Sequence, residues 1–140
     1  MKYHEIPISV RFNEIDAYNV AWHGHYVAWM EIGRNGLASS FGMDAQQLQE
    51  LGYFGPVVAL EVKYFKPAHF RDALTVRTTL RPTESATLVF VNEICGANGV
   101  RLATGVTTHV LTDRDGIMQF TLPTEIAGRI DAMKRWLELP

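Results

Sequence analysis

The sequence predicts an α+β fold: a curved antiparallel β-sheet wrapped around one long apolar helix, with an amphipathic helix at the C-terminus. Three observations predict it. An early segment has apolar residues at three- and four-residue spacing, a run of alternating segments separated by tight turns follows, and a second helical pattern ends the chain. Strands in hairpin succession form an antiparallel sheet, and a sheet that curls around the apolar helix buries it.

The chain opens with a predicted half-buried strand whose alternating apolar residues are Ile6, Ile8, Val10 and Phe12. A helix is predicted from Gly24 to about Phe41. Its main apolar face comprises Tyr26, Trp29, Met30, Gly33, Leu37 and Phe41. Because this face is widened by Val27, Ala28, Ile32 and Ala38, we expect the helix to be buried on most sides. Asp44 is suited to cap a short second helix that runs through Leu51.

The segment from Tyr53 to Phe120 is predicted to be mainly β. The alternating runs are Val58–Tyr64, Leu74–Leu80, Leu88–Asn92 and Val100–Val110. Asn98-Gly99 and Asp115-Gly116 are tight-turn sequences. A last helix is predicted after Pro123, and its apolar stripe contains Ile126, Ile130, Met133 and Leu137.

Length and composition predict one globular domain over residues 1–140, with 47% hydrophobic and 20% charged residues. A net charge of −2, without basic runs, argues against binding to nucleic acid or a membrane surface. The single cysteine, Cys95, excludes an intrachain disulfide and is expected to be a buried core residue. No stretch approaches membrane-spanning length, and the polar start is unlike a signal peptide, so we expect a cytoplasmic protein.

The most informative stretch joins Asp16, in a polar turn, to the His23-Gly24 pair seven residues later at the start of the apolar helix. This spacing can bring a carboxylate close to the positive end of a helix dipole, an arrangement that suits attack on a carbonyl. From the pattern alone, the more common role of such an aspartate is to cap a turn or the helix, because Asp in turns is common. The histidines share no spacing with cysteine or further carboxylates, so no metal site is predicted.

Two motifs and the order of elements resemble the hotdog-fold acyl-CoA thioesterases of the 4-hydroxybenzoyl-CoA thioesterase family. The first motif is Arg11–Tyr18 followed by Trp22–Tyr26, and the second is Glu61–Leu74. The resemblance spans essentially the whole chain. It implies hydrolysis of a short or medium aliphatic or an aromatic acyl-CoA, with coenzyme A as part of the substrate and no separate cofactor. It also implies a homodimer or homotetramer.

The resemblance also assigns roles. Asp16 would be the nucleophile or the general base. His23 would offer its backbone N–H to the thioester oxygen, with assistance by its imidazole as the less favoured alternative, while Gly24 leaves that approach open. Tyr26 is a candidate for the acyl pocket, although aromatic residues at helical spacing are usually core. Val58 and Ala59 fall where family members run the pantetheine arm along a strand edge; the alternative is a plain core strand.

The sequence departs from the family pattern at Asn19, where glycine is common, and at His25, where asparagine is frequent. Asparagine tolerates a left-handed backbone, so the Asp16 turn is expected to survive. Two other functions stay open at this point. A hotdog hydroxyacyl-thioester dehydratase would use an acid on the helix, here Glu31, which is otherwise expected to be a buried, paired structural carboxylate. The second is a non-catalytic acyl-CoA binding module.

Overall fold

A computed structural model describes residues 2–140. The helices are α1 (His25–Ser40), α2 (Ala45–Glu50) and α3 (Thr124–Trp136). The strands are β1 (His4–Ser9), β2 (Tyr53–Phe54), β3 (Val57–Tyr64), β4 (Ala73–Arg81), β5 (Leu88–Cys95), β6 (Arg101–His109) and β7 (Thr112–Asp113). Short 3₁₀ turns occupy Phe12–Glu14 and Ala97–Gly99.

The main sheet has five antiparallel strands in the order β1-β4-β5-β6-β3, and β2 pairs with β7 in a small separate ribbon. Helix α1 contacts four of the five strands, namely β1, β4, β5 and β6. This arrangement confirms the predicted fold class of an antiparallel sheet built around one apolar helix. It leaves β3 at the edge of the sheet, beyond the strands that α1 covers.

Helix α1 and the sheet meet at two positions that lack a side chain. A Cβ atom at Gly33 of α1 would lie 2.4 Å from Cγ1 of Val76, on β4. A Cβ atom at Gly105 of β6 would lie 2.2 Å from Sδ of Met30, on α1. Real Cβ contacts are essentially never this short. Glycine at position 33 is therefore required by the branched side chain of Val76, whereas a larger residue at position 105 would have to displace the end of the Met30 side chain.

A second core forms where α2 and α3 cover the C-terminal end of α1. The predicted stripe of α3 is buried there, with Ile126 and Leu137 at 1% and 0% exposure. It packs with Leu37, Leu48, Leu80, Phe90 and Leu111. Asp44 caps α2 as predicted, since its carboxylate accepts a 2.8 Å hydrogen bond from the N–H of Gln47.

Two expectations from the sequence about apolar side chains are wrong. Helix α1 is not buried on most sides, because Ala28 is exposed and Ile32 is 50% exposed. Phe12 is not a strand residue; it lies in the first 3₁₀ turn and is 77% exposed. The predicted turn at Asn98-Gly99 and the burial of Cys95 are confirmed, with Asn98 at φ 59° and Cys95 at 5% exposure. None of the helices within residues 2–140 has the length and hydropathy needed to span a membrane.

The close helix–sheet contact gives a stability prediction. We expect Gly33→Ala to destabilise the fold by about 1–3 kcal/mol, because the added methyl group must displace the buried side chains of Val76 and Thr78. Gly128→Ala is the matched control in α3, where nothing lies within 4 Å of the new Cβ atom. It should stabilise the protein by about 0.5–1 kcal/mol through helix propensity. Denaturant unfolding of both variants measures this, and an unchanged midpoint for Gly33→Ala would contradict the packing argument.

Candidate functional site

The loop that carries Asp16 is closed by its own backbone hydrogen bonds. The N–H of Asp16 donates to Val20 O at 2.9 Å, and the N–H of Asn19 donates to Asp16 O at 3.0 Å. Asn19 adopts φ 63°, the left-handed conformation that its side chain was expected to tolerate. Asparagine therefore adopts the left-handed conformation at position 19, where glycine is common in the family pattern, and the loop keeps a defined shape.

The Asp16 side chain is half-buried and partly committed to the loop. Its Oδ1 accepts a 2.8 Å hydrogen bond from the N–H of Tyr18, which is the turn-capping role that the pattern also allowed. The structure records no protein hydrogen-bond partner for Oδ2 within residues 2–140. The carboxylate is thus oriented by one oxygen while the other remains available for chemistry.

Helix α1 begins without a side-chain cap in the part of the chain that the structure describes. Gly24 is its N-cap and has no side chain to accept from the first turn. The N–H of His25 donates to Trp22 O at 3.0 Å. The following N–H groups of the first turn have no acceptor inside the helix, because the first N–H groups of any α-helix precede the hydrogen-bonding ladder. This end of α1 is therefore suited to an oxygen that carries partial negative charge.

Glycine at position 24 also makes room for an aromatic ring. A Cβ atom there would lie 2.1 Å from Cζ3 of the Trp22 indole. The Trp22 ring in turn contacts the imidazoles of His23 and His25, with ring centroids 4.9 and 5.5 Å apart. The half-buried His25 therefore packs edge-on against Trp22 at the first position of the helix.

Tyr26 links the helix start to the segment after β3. Its side chain is 2% exposed, and its hydroxyl oxygen accepts a 2.9 Å hydrogen bond from the N–H of Ala68. The carbonyl of Ala68 accepts from the N–H of Ala21 at 2.8 Å. Burial raises the pKa of Tyr26, and the negative charges of Asp72 and Asp16 add to the increase. Tyr26 thus ties the first turn of α1 to Ala68 and, through Ala21, to the Asp16 loop.

A cavity of about 290 Å³ opens beside this helix start. Its walls come from the Asp16 loop, from the helix start and from the end of β3 with the residues after it. They are formed by Val20, Ala21, His23, Tyr26, Tyr64, Phe65, Lys66 and Pro67. The exposed His23 lies at this cavity, and its carbonyl accepts a 2.7 Å hydrogen bond from the hydroxyl of Tyr64. We call this space the loop cavity.

Glu14 supports the Asp16 loop, a role that the sequence alone does not indicate. Its carboxylate is 2% exposed, and it accepts 2.8 Å hydrogen bonds from the N–H of Arg11 and from the indole N–H of Trp29, in α1. Its own carbonyl accepts from the N–H of Trp22 at 2.9 Å. Glu14 therefore joins the base of the Asp16 loop to the helix. The sequence gives little indication of this role, because Glu14 and its partner Trp29 are fifteen residues apart.

The other predicted site residues lie on β3. Val58 and Ala59 are exposed at the edge of the sheet, where the register with β6 is irregular between Val57 and Ala59. Neither lines the loop cavity. Their predicted role in binding the pantetheine arm stays a prediction. Within residues 2–140, no three His, Cys, Asp or Glu side chains come together in a way that could hold a metal ion.

These features match a known family over almost the whole chain. Residues 10–137 match the family model of the thioesterase-like superfamily. The chain belongs to the thioesterase-like superfamily. This membership confirms the predicted hotdog acyl-CoA thioesterase family and the predicted class of thioester hydrolase.

Individual proteins resemble this chain in sequence or in fold. The acyl-CoA thioester hydrolase YbgC of Escherichia coli is 27% identical over 122 residues, covering 87% of this chain and 91% of YbgC. The DHNA-CoA thioesterase of Staphylococcus aureus superposes with a TM-score of 0.82 at 25% identity, covering 97% of this chain and 95% of that structure. The S. aureus protein SAV2348, solved in complex with CoA, shares the fold with a TM-score of 0.87 at 14% identity, covering 99% and 87% of the two chains.

The buried carboxylate of Glu14 leads to a prediction about the stability of this thioesterase-superfamily member. Two opposing effects act on the pKa of Glu14. Burial acts to raise it, but the hydrogen bonds from Arg11 and Trp29 and the charge of Arg11 lower it by more, so the net pKa lies below the ordinary value of 4.5. We expect Glu14→Gln to destabilise the protein by about 1.5–3 kcal/mol at pH 7, because an amide replaces a charged acceptor. Denaturant unfolding at pH 7 and at lower pH measures the effect.

The sign of the pH dependence follows from the lowered pKa. A carboxylate whose folded-state pKa is depressed stabilises the fold above its unfolded pKa, and this contribution is lost as pH falls through the folded value. The gap between the native protein and Glu14→Gln should therefore narrow below about pH 4.5. Glu125→Gln, at an exposed pair with Arg129, is the control and should change stability by less than about 0.5 kcal/mol. If both variants lost the same amount of unfolding free energy at pH 7, the special role of Glu14 would be contradicted.

Proposed function

We propose that this protein hydrolyses acyl thioesters of coenzyme A, with Asp16 as the catalytic carboxylate and the start of α1 as the site of the thioester carbonyl. One observation carries the proposal. A carboxylate with one oxygen held by the N–H of Tyr18 belongs to the loop whose residues Val20 and Ala21, together with His23, line the cavity at a helix start that has no side-chain cap. A thioester carbonyl needs both a nucleophile and a place for the negative charge that develops on its oxygen.

In the proposed reaction the thioester oxygen accepts hydrogen bonds from N–H groups at the helix start, including that of His23. The positive end of the helix dipole then stabilises the oxyanion. Asp16 acts in one of two ways. It attacks the carbonyl carbon, expels the thiolate and forms an anhydride that water then cleaves, or it takes a proton from the water that attacks. Both routes consume one water and release one carboxylic acid and one thiol.

Two observations support coenzyme A as the thiol carrier. YbgC, which aligns over most of the chain, is named for acyl-CoA, and SAV2348, which shares the fold, was solved with CoA. The loop cavity also includes Lys66, a cation suited to the phosphates of such a ligand. We assign Val58 and Ala59, on the exposed edge strand, to contacts with the pantetheine arm. The acyl group is expected to be aromatic or a short to medium aliphatic chain.

The exposed strand β3 supports a homodimer or homotetramer. An edge strand presents unpaired backbone N–H and C=O groups and is a template for pairing with another chain. The side chains of Val57, Val58 and Leu60 on this strand are 47%, 58% and 47% exposed. Pairing of two copies through β3 would cover these side chains and enclose the strand beside the site.

The dehydratase alternative requires an acid on α1, and Glu31 does not suit that role. Glu31 is paired with Arg34 as expected, but it is exposed rather than buried. The hydrogen bond from Arg34 lowers the pKa of Glu31, and this effect outweighs desolvation. An exposed carboxylate held in its charged form is a poor proton donor, so the geometry favours hydrolysis at Asp16.

The test is release of free thiol from a panel of aliphatic and aromatic acyl-CoA esters. We expect Asp16→Asn to lower kcat by at least about a hundredfold, because the amide can neither attack nor take a proton at neutral pH. Asp115→Asn, in the exposed turn of residues 113–117, is the matched control and should retain native rates. Unfolding curves of both variants establish that they fold.

The outcomes separate the functions. Equal rates for native protein and Asp16→Asn would overturn the assigned role of Asp16. If no ester releases thiol, the protein binds acyl-CoA or acts on hydroxyacyl thioesters. Loss of water from a hydroxyacyl-CoA that is abolished by Glu31→Gln would then establish the dehydratase.

A further inference from the structure

The turn that leads into α1 has two carbonyl groups that already accept hydrogen bonds. The Trp22 carbonyl accepts from the N–H of His25 at 3.0 Å, which closes a tight turn with His23 and Gly24 at its centre. The His23 carbonyl accepts the 2.7 Å hydrogen bond from the hydroxyl of Tyr64. One of the two donors therefore belongs to the turn itself, and the other comes from the sheet.

These two hydrogen bonds fix the directions of two N–H groups. In a planar trans peptide unit the C=O and N–H bonds point in opposite directions, so a donor that holds the carbonyl also aims the N–H. The Trp22 carbonyl shares its peptide unit with the N–H of His23, and the His23 carbonyl shares its unit with the N–H of Gly24. Within residues 2–140, neither N–H donates to a protein acceptor. Because Gly24 has helical backbone angles, φ −70° and ψ −24°, its N–H points out of the helix start.

The sheet fixes the position of the tyrosine that holds the His23 carbonyl. Tyr64 is the last residue of β3, and the N–H of the next residue, Phe65, donates to Leu102 O at 2.8 Å. The Tyr64 ring meets the Tyr26 ring edge-on, with the ring centroids 5.1 Å apart. The hydroxyl is therefore aimed by a rigid element outside the turn that it holds.

The hydrogen bond between Tyr64 and His23 lies in the wall of the loop cavity. Both residues line this cavity, and Tyr64 is 46% exposed. Partial burial raises the pKa of Tyr64, so the hydroxyl keeps its hydrogen at neutral pH. A hydrogen bond this exposed contributes little to the stability of the fold. It matters for a bound ligand, because a ligand in the cavity excludes water, and hydrogen bonds in a dry site strengthen one another.

We propose that Tyr64 is a positioning residue for the oxyanion site, and that the N–H of Gly24 is a donor of this site beside the N–H of His23. This inference rests on the proposed thioester hydrolysis at the start of α1. The Tyr64 hydroxyl holds the peptide unit between His23 and Gly24 so that its N–H faces the thioester oxygen. By donating to the carbonyl of that unit, the hydroxyl also polarises it and makes the N–H a stronger donor.

The contribution of Tyr64 belongs to the transition state more than to the bound substrate. The thioester oxygen carries only partial charge in the substrate and nearly a full negative charge in the tetrahedral state, so a well-aimed N–H stabilises the tetrahedral state far more. Loss of a complete oxyanion donor costs about a hundred- to a thousandfold in kcat. Loss of the hydrogen bond that aims a donor leaves the N–H in place, so we expect a smaller decrease.

The experiment measures thiol release by Tyr64→Phe, which removes the hydroxyl and keeps the ring. We expect kcat to fall about tenfold, with KM within about twofold of the native value, for aliphatic and aromatic acyl-CoA esters alike. The unfolding midpoint should stay close to that of the native protein. Tyr53→Phe is the matched control and should retain native kcat, because Tyr53 lies on β2, packs against the second core and does not line the loop cavity.

A second measurement separates positioning from simple contact with the ligand. S-hexyl-CoA and S-benzyl-CoA are thioethers without a carbonyl oxygen, so their binding does not use the oxyanion site. Their inhibition constants should agree within about twofold between native protein and Tyr64→Phe. Tyr64→Ala also removes the ring from the cavity wall. It should lower kcat at least as much as Tyr64→Phe and should weaken inhibition by the thioethers as well.

The inference and the proposed function fail in different ways. A native kcat in Tyr64→Phe would overturn the positioning role and leave the hydrolase intact. A decrease in kcat/KM that is matched by an equal rise in the inhibition constants of the thioethers would overturn it too, because Tyr64 would then act only as part of the cavity wall. Absence of thiol release from every ester by the native protein would overturn the proposed hydrolysis and, with it, the role of Tyr64.

Discussion

The close contact between α1 and the sheet is the constraint on which the rest of the structure depends. At Gly33 on the helix a Cβ atom would meet the branched side chain of Val76, and Gly105 on β6 leaves room for the end of the Met30 side chain. Dispersion contacts fall off steeply with distance, so a helix this close is held firmly in position along most of its length. Open space remains at its first turn and along Val27 and Met30, and two cavities lie there.

Glu14 transmits the position of the helix to the Asp16 loop. A buried carboxylate is expensive unless several donors compensate it, and here one donor comes from the backbone of Arg11 and the other from the Trp29 side chain. Since Trp29 is fixed in the core by its helix, Glu14 must follow it. Asp16 is only two residues further along the chain, and its loop is tied to Ala68 through Ala21. Core packing and the orientation of the carboxylate are therefore parts of one arrangement.

The sequence predicted the fold class, the extent of α1 and the loop of Asp16, because hydrophobic period and turn chemistry are local properties. It missed Glu14, whose partner Trp29 is remote in sequence. It could not show that Ile32 is exposed, since periodicity does not distinguish the core of one chain from a face left for other contacts. It also could not show that Nδ2 of the buried Asn92, on β5, has no hydrogen-bond partner within residues 2–140, because hydrogen bonding depends on which residues face each other across strands.

The first turn of α1 separates the two cavities. Tyr26 lines the loop cavity, and the next residue, Val27, lines a second cavity, between α1 and the edge strand β3, which is called the acyl cavity for its place in the proposed reaction. Neighbouring helical residues point about 100° apart. In the proposed reaction, a thioester with its oxygen at the helix start would place its thiol arm in one cavity and its acyl group in the other. Binding energy from the thiol arm would then be available whatever acyl group is present. Groups that touch only the acyl cavity would act on the choice between substrates and would leave the shared chemistry unchanged.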